Sequence, residues 1–437
     1  MSARAKKILI TNTVALNGGD AAILQSILFL LRGAFGEKTH FIVYDNSPEV
    51  AARYYPEIEF RKLLYWRAVP KTRIGIIRSV AKRWNLARMR WATRFWKCFP
   101  ATARILLTNE ERIDIRNYSD ADLIVSTGGT YLVDHYSLAP RIFDYELSLR
   151  LGRPLVFFTQ SLGPFQNQSS STHRKLRTVF ASARLILLRD EQSLKNLHAL
   201  NLREAKTKIS ADAVFALADP TVLKRASQAS FPSSERMKIA ISVRDWRRFA
   251  TVSRKDGMQK YTAALQILTT HLVQRYAAEV VFISTCQGIP EYQFDDSSVA
   301  AEIFNGLREE IKSRVRVDSG FRSPTDLIAH LQQFDLAIST RMHFCILSLL
   351  AGVPVFPIAY EFKTYELFTR LGLGEWVQNI ETIEPTNFVK SFDAFARAIP
   401  DLRDSLFSKV ELERQRALQS GMDVKAALEN APQSSQN

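Results

Sequence analysis

The sequence predicts an α/β protein of two domains, each a parallel sheet carrying helices, and three observations carry that expectation. Strand-length apolar runs that stop at small or polar residues alternate with helix-length periodic stretches along the chain. At 437 residues the chain exceeds the usual size of one domain. Near its middle, DPTVLKRASQASFPSSER (Asp219 to Arg236) interrupts the alternation with two prolines and a serine-rich stretch, and reads as a linker. The expected division is therefore a first Rossmann-like domain over 1–218, a linker over 219–236, a second Rossmann-like domain with C-terminal helices over 237–430, and a disordered tail over 431–437.

In the first half, Lys7 to Thr11 is a short apolar strand leading into NGGD at Asn17 to Asp20. Ile23, Ile27, Leu30 and Leu31 then recur at helical spacing, with Asp20 as the expected N-cap. A glycine pair between a strand and a helix lets backbone N–H groups approach a ligand, although many tight turns carry glycine for conformation alone. Phe41 to Tyr44 is the next strand, and Ala121 to Ser126 another, ending in Thr127-Gly128-Gly129-Thr130. Leu155 to Thr159 ends in Gln160-Ser161-Leu162-Gly163-Pro164. Small residues gathered at one sheet edge make room for a ligand there. Leu185 to Leu188 ends in Arg189-Asp190, either a local ion pair or part of a site.

In the second half, Lys238 to Val243 is a strand ending at Arg244-Asp245-Trp246, followed by a helix over Tyr261 to Tyr276 and a strand over Val280 to Ser284. Ser298 to Lys312 reads as a helix, Val315 to Val317 as a strand and Pro324 to Gln333 as a helix. The stretch from Asp335 to Leu371 then gives strand Leu336 to Ser339, helix Met342 to Ala351 and strand Val353 to Ala359. Met342 to Tyr360 is long and uncharged enough to span a bilayer, but Gly352-Val353-Pro354 and Pro357 break it into α/β pieces. Thr340, Arg341 and His343 fall where a strand ends and a helix begins, a position suited to an anion and a proton transfer. If the strands before Arg244 and Arg341 are neighbours, two guanidinium groups can hold one multiply charged anion. Phe388 to Leu428 reads as one or two helices.

Three widely spaced cysteines, Cys98, Cys286 and Cys345, form no metal or disulfide framework and fit reduced thiols in a cytoplasmic protein. MSARAKKILITNT lacks a secretory apolar core and reads as the first strand. The net charge is +15, concentrated in part between Arg61 and Lys97, where twelve Lys or Arg residues occur with no Asp or Glu, interleaved with Trp66, Trp84, Trp91, Phe95 and Trp96. That basic aromatic insertion, about 61–104, is compatible with a solvated helical segment packed by its aromatics, with the anionic face of a membrane, or with nucleic acid. No nucleic-acid-binding motif accompanies it, which disfavours the last.

With these residues in place, the sequence resembles the polysaccharide pyruvyl transferase family. The resemblance rests on NGGDAAI (Asn17 to Ile23), STGGT (Ser126 to Thr130), TQSLGPF (Thr159 to Phe165) and ISTRMHFCILSLLAGVPVFPIAYEFK (Ile338 to Lys363). In the last block Arg-x-His, Gly-x-Pro and Tyr-x-x-Lys stand in the family's order; the segment from Arg61 to Arg104 is not covered. The resemblance implies a GT-B-like fold of two Rossmann-like domains facing a cleft. It also implies transfer of a pyruvyl group from phosphoenolpyruvate to a sugar of a surface polysaccharide or its lipid-linked precursor, forming a ketal. By analogy, Arg244 and Arg341 bind the donor, Lys363 assists its phosphate and His343 is the catalytic acid. Asn17, Gly18, Gly19, Asp20, Gly128, Gly129, Gln160 and Ser161 line the acceptor side. No metal and no cofactor beyond the phosphoenolpyruvate co-substrate is expected, because the arginines stabilise the leaving phosphate.

Each role has a structural competitor. An isolated histidine between apolar residues is more often a satisfied core residue, Lys363 can pair with Glu361 or Glu366, and Asp20 can serve as a helix cap alone. Two other functions compete as well: a GT-B glycosyltransferase using a nucleotide sugar, and a non-catalytic glycan-binding protein at the membrane surface.

Overall fold

The computed structural model describes residues 5–72, 74–203, 205–230 and 236–430. The chain divides into two compact units. The first unit is built on β1 (Lys7–Thr13), β2 (His40–Asp45), β3 (Phe60–Lys62), β4 (Leu123–Ser126), β5 (Gly129–Leu132), β6 (Leu155–Leu162), β7 (Leu185–Leu188) and β8 (Thr207–Ile209). They form one parallel sheet in the order β3-β2-β1-β4-β6-β7-β8, with β5 paired to β6. The residues of β4 and β6 are buried throughout, as a sheet covered on both faces requires. Its core runs from Leu9, Ile42 and Ile124 through Phe143, Phe157 and Phe180.

The second unit contains β9 (Lys238–Ser242), β10 (Glu279–Phe282), β11 (Val315–Val317), β12 (Leu336–Ser339), β13 (Val355–Ala359) and β14 (Gln378–Asn379), again all parallel. The order is β11-β10-β9-β12-β13-β14, which is the doubly wound Rossmann order with the chain reversing direction across the sheet between β9 and β12. Ligands of such folds bind outside the carboxyl ends of the strands at that reversal. The helix Pro385–Glu429 is continuous, with Pro400 inside it. Phe388, Phe392 and Phe395, at helical spacing, set their rings 5.8, 5.6 and 5.3 Å from that of Phe356 on β13 and so dock its first part on this sheet.

Several boundaries differ from the sequence expectation; β6 runs on past Thr159 to Leu162, and the helix expected over Tyr261 to Tyr276 starts at Arg254. The stretch that reads as a linker holds a helix, Pro220–Gln228, whose Asp219 accepts from the N–H of Thr221 and whose Leu223 and Ala226 are buried. Its Pro at the first helical position and its short apolar face satisfy the rules for a helix start, and the serine-rich continuation obscures them. Residues 231–235 and the expected tail 431–437 lie outside the described residues. The second unit also takes in Leu16–Ala22, and residues from Arg416 onward count with the first, so the chain does not divide at one point. The helix expected over Ser298 to Lys312 is two, Ser297–Asn305 and Glu309–Lys312, separated at Gly306.

Candidate functional site

β9 and β12 pair directly, Ser242 opposite Ser339, so the condition for bringing Arg244 and Arg341 together is met. The N–H of Thr340 donates to the Ser242 carbonyl at 2.9 Å, tying the two strand ends together, and the Tyr261 hydroxyl lies 2.5 Å from Thr340 Oγ1. Arg244 is half-buried, its guanidinium carbon 4.2 Å from the ring centre of Tyr360 and 5.2 Å from that of Trp246. Aromatic faces attract a cation without neutralising it, so the guanidinium edge remains chemically available to an anion.

Arg341 is held differently. Its Nε and Nη2 donate to the two oxygens of Asp296 at 2.8 and 2.6 Å, and Asp296 is itself buried and accepts from Ser284 Oγ. Burial disfavours the charge on Arg341, but the Asp296 carboxylate outweighs it and holds the guanidinium pKa well above its usual value. A fork fixed on two of its nitrogens keeps one orientation, and Nη1 is not drawn into the pair. Cys286 is surrounded by the same charges: burial pushes its thiol up to about 11, while Arg341 and Arg244 pull the other way.

His343 is the second residue of the helix Met342–Leu350 that follows β12, half-buried, in the turn whose unpaired N–H groups give a helix its positive end. The glycine pair of the NGGD turn lies against this edge. A Cβ on Gly19 would stand 2.6 Å from His343 Nδ1, and one on Gly18 would stand 2.2 Å from the carbonyl oxygen of Thr285, which accepts from the Gly18 N–H at 3.1 Å. Only glycine permits either approach. Asn17, rather than Asp20, is the residue that caps the following helix: its Oδ1 accepts from the N–H of Gly19 at 3.0 Å, and Asp20 falls in the first turn of Gly18–Phe35. Four of the residues expected on the acceptor side, Asn17 to Asp20, thus belong to the second unit and adjoin its basic edge. Lys363 pairs with Glu361 at 2.8 Å, with its ammonium 5.9 Å from the Tyr360 ring centre.

The other expected residues cluster at the strand ends of the first unit. Gly129 opens β5 opposite Gln160 of β6, and Gln160 Nε2 donates to the Gly129 carbonyl at 2.8 Å, with Gly128 packed on the backbone of Phe158. Ser161 Oγ donates to Asp190 and accepts from Arg189 Nε at 2.8 Å. Arg189 also donates to Thr130 Oγ1 at 2.9 Å and to Asp212, so its partner is Asp212 and not its neighbour Asp190, which caps the helix Glu191–Ala199. Asp296, Tyr360 and Trp246 join the site without having been expected there. Tyr360 stands inside the Tyr-x-x-Lys signature, which is a usable signal, whereas nothing near Asp296 in the sequence points to Arg341.

The family description that matches this chain, over residues 17–361, is polysaccharide pyruvyl transferase. The amylovoran biosynthesis protein AmsJ of Erwinia amylovora is 26% identical over 301 residues, which cover 67% of this chain and 70% of AmsJ. Among solved structures, Anabaena HepE in complex with UDP superposes with a TM-score of 0.55 at 13% identity, covering 98% of this chain and 100% of HepE. The UDP-GlcNAc 2-epimerase of Neisseria meningitidis bound to UDP-GlcNAc gives 0.54 at 11% identity, covering 97% and 100%. These two likenesses show the fold, a pair of Rossmann-like α/β units of the GT-B class. With the match extending from the NGGD turn to the end of β13 and beyond it to Glu361, the chain belongs to the polysaccharide pyruvyl transferase family.

Proposed function

We propose that this transferase moves the pyruvyl group of phosphoenolpyruvate onto two hydroxyls of one sugar in a polysaccharide or its lipid-linked precursor, releasing phosphate. What supports this reading most is the meeting, at the reversal of the second sheet, of Arg244, Arg341 and the helix start that carries His343. Phosphoenolpyruvate carries about three negative charges on a small frame, which calls for a fork or two and a helix N-terminus. Arg244 is free to turn its edge to the phosphate, Arg341 offers Nη1 to the carboxylate, and Lys363 stands beside them.

In the proposed reaction, protonated His343 gives its proton to C3 of the enol, turning CH₂ into CH₃. The first sugar hydroxyl adds to the electron-poor C2. The second then bonds to C2 as the C2–O–phosphate bond breaks, and the departing phosphate carries off the electron pair. Two hydroxyl protons are released; one replaces the proton spent by the histidine and the other leaves with the phosphate.

The UDP complexes of the structural relatives make a nucleotide sugar the natural competitor as donor. Titration calorimetry with phosphoenolpyruvate and with a panel of nucleotide sugars separates the two. Binding of phosphoenolpyruvate alone is expected, and binding of a nucleotide sugar alone would overturn the proposal. His343→Ala is expected to cut phosphate release in the presence of a pyruvylatable glycan by ~10²–10⁴-fold, the size of a general-acid contribution, while phosphoenolpyruvate still binds. Undiminished release would remove His343 from the chemistry.

A further inference from the structure

The basic aromatic insertion folds as a helix, Gly75–Phe95, followed by a shorter one, Pro100–Ile105. Met89, Ala92 and Thr93 face inward and are buried. On the opposite side, Val80, Trp84, Ala87 and Trp91 follow one another at spacings of four, three and four, which places them in a single stripe. That stripe points away from the protein: Trp84 is 68% and Trp91 60% exposed. Ile76 at 80% lies beside it on the same helix, and Phe99 and Ile105, the latter 81% exposed, extend the apolar surface through the second helix. An outward-facing row of this length is unusual on a soluble surface and marks a contact with something apolar.

The charges of the segment divide into two sets. Arg61 and Arg67 both grip the buried Asp114, Arg88 forks onto Glu111 at 2.8 and 2.8 Å, and Arg90 reaches Glu146 at 3.4 Å; these anchor the insertion to its own unit. Arg78, Arg83, Arg94 and Lys97 are exposed instead. Arg83 and Arg94 border the apolar stripe itself, and no Asp or Glu occurs between Arg61 and Lys97 to offset them. A helix with tryptophans and aliphatic residues facing outward, bordered by cations and lacking anions, matches an anionic bilayer surface: the rings enter the headgroup region and the guanidinium groups meet the phosphates. Nucleic acid would use the cations but leave the isoleucines, valine and tryptophans unaccounted for.

We propose that the helix Gly75–Phe95 and its extension to Ile105 lie in the surface of an anionic membrane, attaching this transferase to the bilayer independently of its donor site. The full chain is to be floated with vesicles of phosphatidylglycerol and phosphatidylethanolamine, and separately with phosphatidylcholine. Recovery with the anionic vesicles only, falling as salt rises, is the expected result. Trp84→Glu/Trp91→Glu is expected to lower the bound fraction at least tenfold at any salt, and Arg83→Glu/Arg94→Glu to lower it mainly at low salt; both change exposed side chains. Equal flotation of wild type and the tryptophan variant would overturn the proposal, as would no flotation with either lipid. So would sedimentation showing a dimer that the tryptophan variant dissolves without any vesicle binding, because a second copy would then cover the stripe. Binding to single-stranded DNA that excludes the vesicles would overturn it as well.

Discussion

The two sheets reverse their winding at equivalent places, and the arginines along their carboxyl edges are held in different ways. In the first unit the reversal lies between β1 and β4: the Thr127 N–H donates to the Thr11 carbonyl at 3.1 Å and its Oγ1 to the Asn12 carbonyl at 3.1 Å. In the second unit Thr340 makes the corresponding backbone tie from β12 to β9. The architecture is shared, and the treatment of charge is not. Arg189, on the first edge at the end of β7, two strands beyond β4, is buried with Asp212, Ser161 and Thr130 around its guanidinium. Arg244, on the second, is half-buried against two aromatic faces. Three nitrogens of the Arg189 guanidinium are taken up by a carboxylate and two hydroxyls, whereas ring faces orient Arg244 and leave its edge open; Arg341, forked on Asp296 through Nε and Nη2 alone, lies between the two. The difference teaches that position at a strand end does not by itself make an arginine an anion ligand; what it packs against decides.

If that contrast is right, the largest effect belongs to the sealed pair. Asp212→Asn removes the carboxylate from the buried Arg189–Asp212 pair, and a loss of about 3–5 kcal/mol of stability is expected from breaking such a pair on one side. Urea unfolding of the full chain measures it. Arg189→Met/Asp212→Asn should recover part of the loss, since both charges then leave together. Unchanged stability with reduced turnover would break the contrast by moving this pair into the site.

Arg244→Ala tests the other half. Cation–ring contacts of a half-buried arginine contribute about 0.5–2 kcal/mol, so less stability should be lost than from Asp212→Asn. Under the proposed reaction the same change removes charge-assisted hydrogen bonds to phosphoenolpyruvate, each of about 1.5–3 kcal/mol, and donor affinity should fall by roughly 10–100-fold. Calorimetry on the variant checks this. A stability loss as large as that of Asp212→Asn, with donor affinity intact, would make Arg244 a structural residue like Arg189.

Much of the contrast is legible in the sequence alone. Strand ends at Ser126 and Ser339, and the placing of Arg244 and Arg341 just beyond strands, follow from apolar runs stopping at small residues, whereas the strand expected to stop at Thr159 is carried on to Leu162 by pairing with β5 and β7. That the two arginines share an edge depends on a strand order that periodicity does not encode, and pairing of β9 with β12 supplies it. Asp296 is hidden for the same reason: it lies 45 residues from Arg341 in sequence, in a loop whose course is set by tertiary packing. The cap falls to Asn17 where the sequence favours Asp20, because both are good capping residues three positions apart and only backbone geometry tells which precedes the helix. The stripe at Val80, Trp84, Ala87 and Trp91 has the spacing of any core-facing helix surface. Which way it faces is decided by the residues that pack on Met89 and Ala92 from the rest of the unit.

The last test concerns the acid beneath the first edge. Asp144 is fully buried, accepts from Thr11 Oγ1 at 2.8 Å and from the Tyr118 hydroxyl at 3.3 Å, and has no hydrogen-bond partner for its Oδ1 among the described residues. Burial pushes its carboxyl up to about 7, against the partial offset of those two donors. The folded state therefore holds a proton that the unfolded chain releases near its ordinary value of 3.8. The stability this group allows is fully present below about pH 4 and declines as pH rises to about 7, with a slope of at most about 1.4 kcal/mol per pH unit. Asp144→Asn cannot ionise, so the difference in urea midpoint between variant and wild type should change steadily in the variant's favour from pH 4.5 to 7 and level off above that. Whatever the new amide costs in hydrogen bonding shifts this difference by a constant and leaves its slope intact. A difference that stays flat across the whole range would mean that the first edge holds an ionised carboxylate, and its distinction from the charged edge of the second unit would then rest on Arg189 alone.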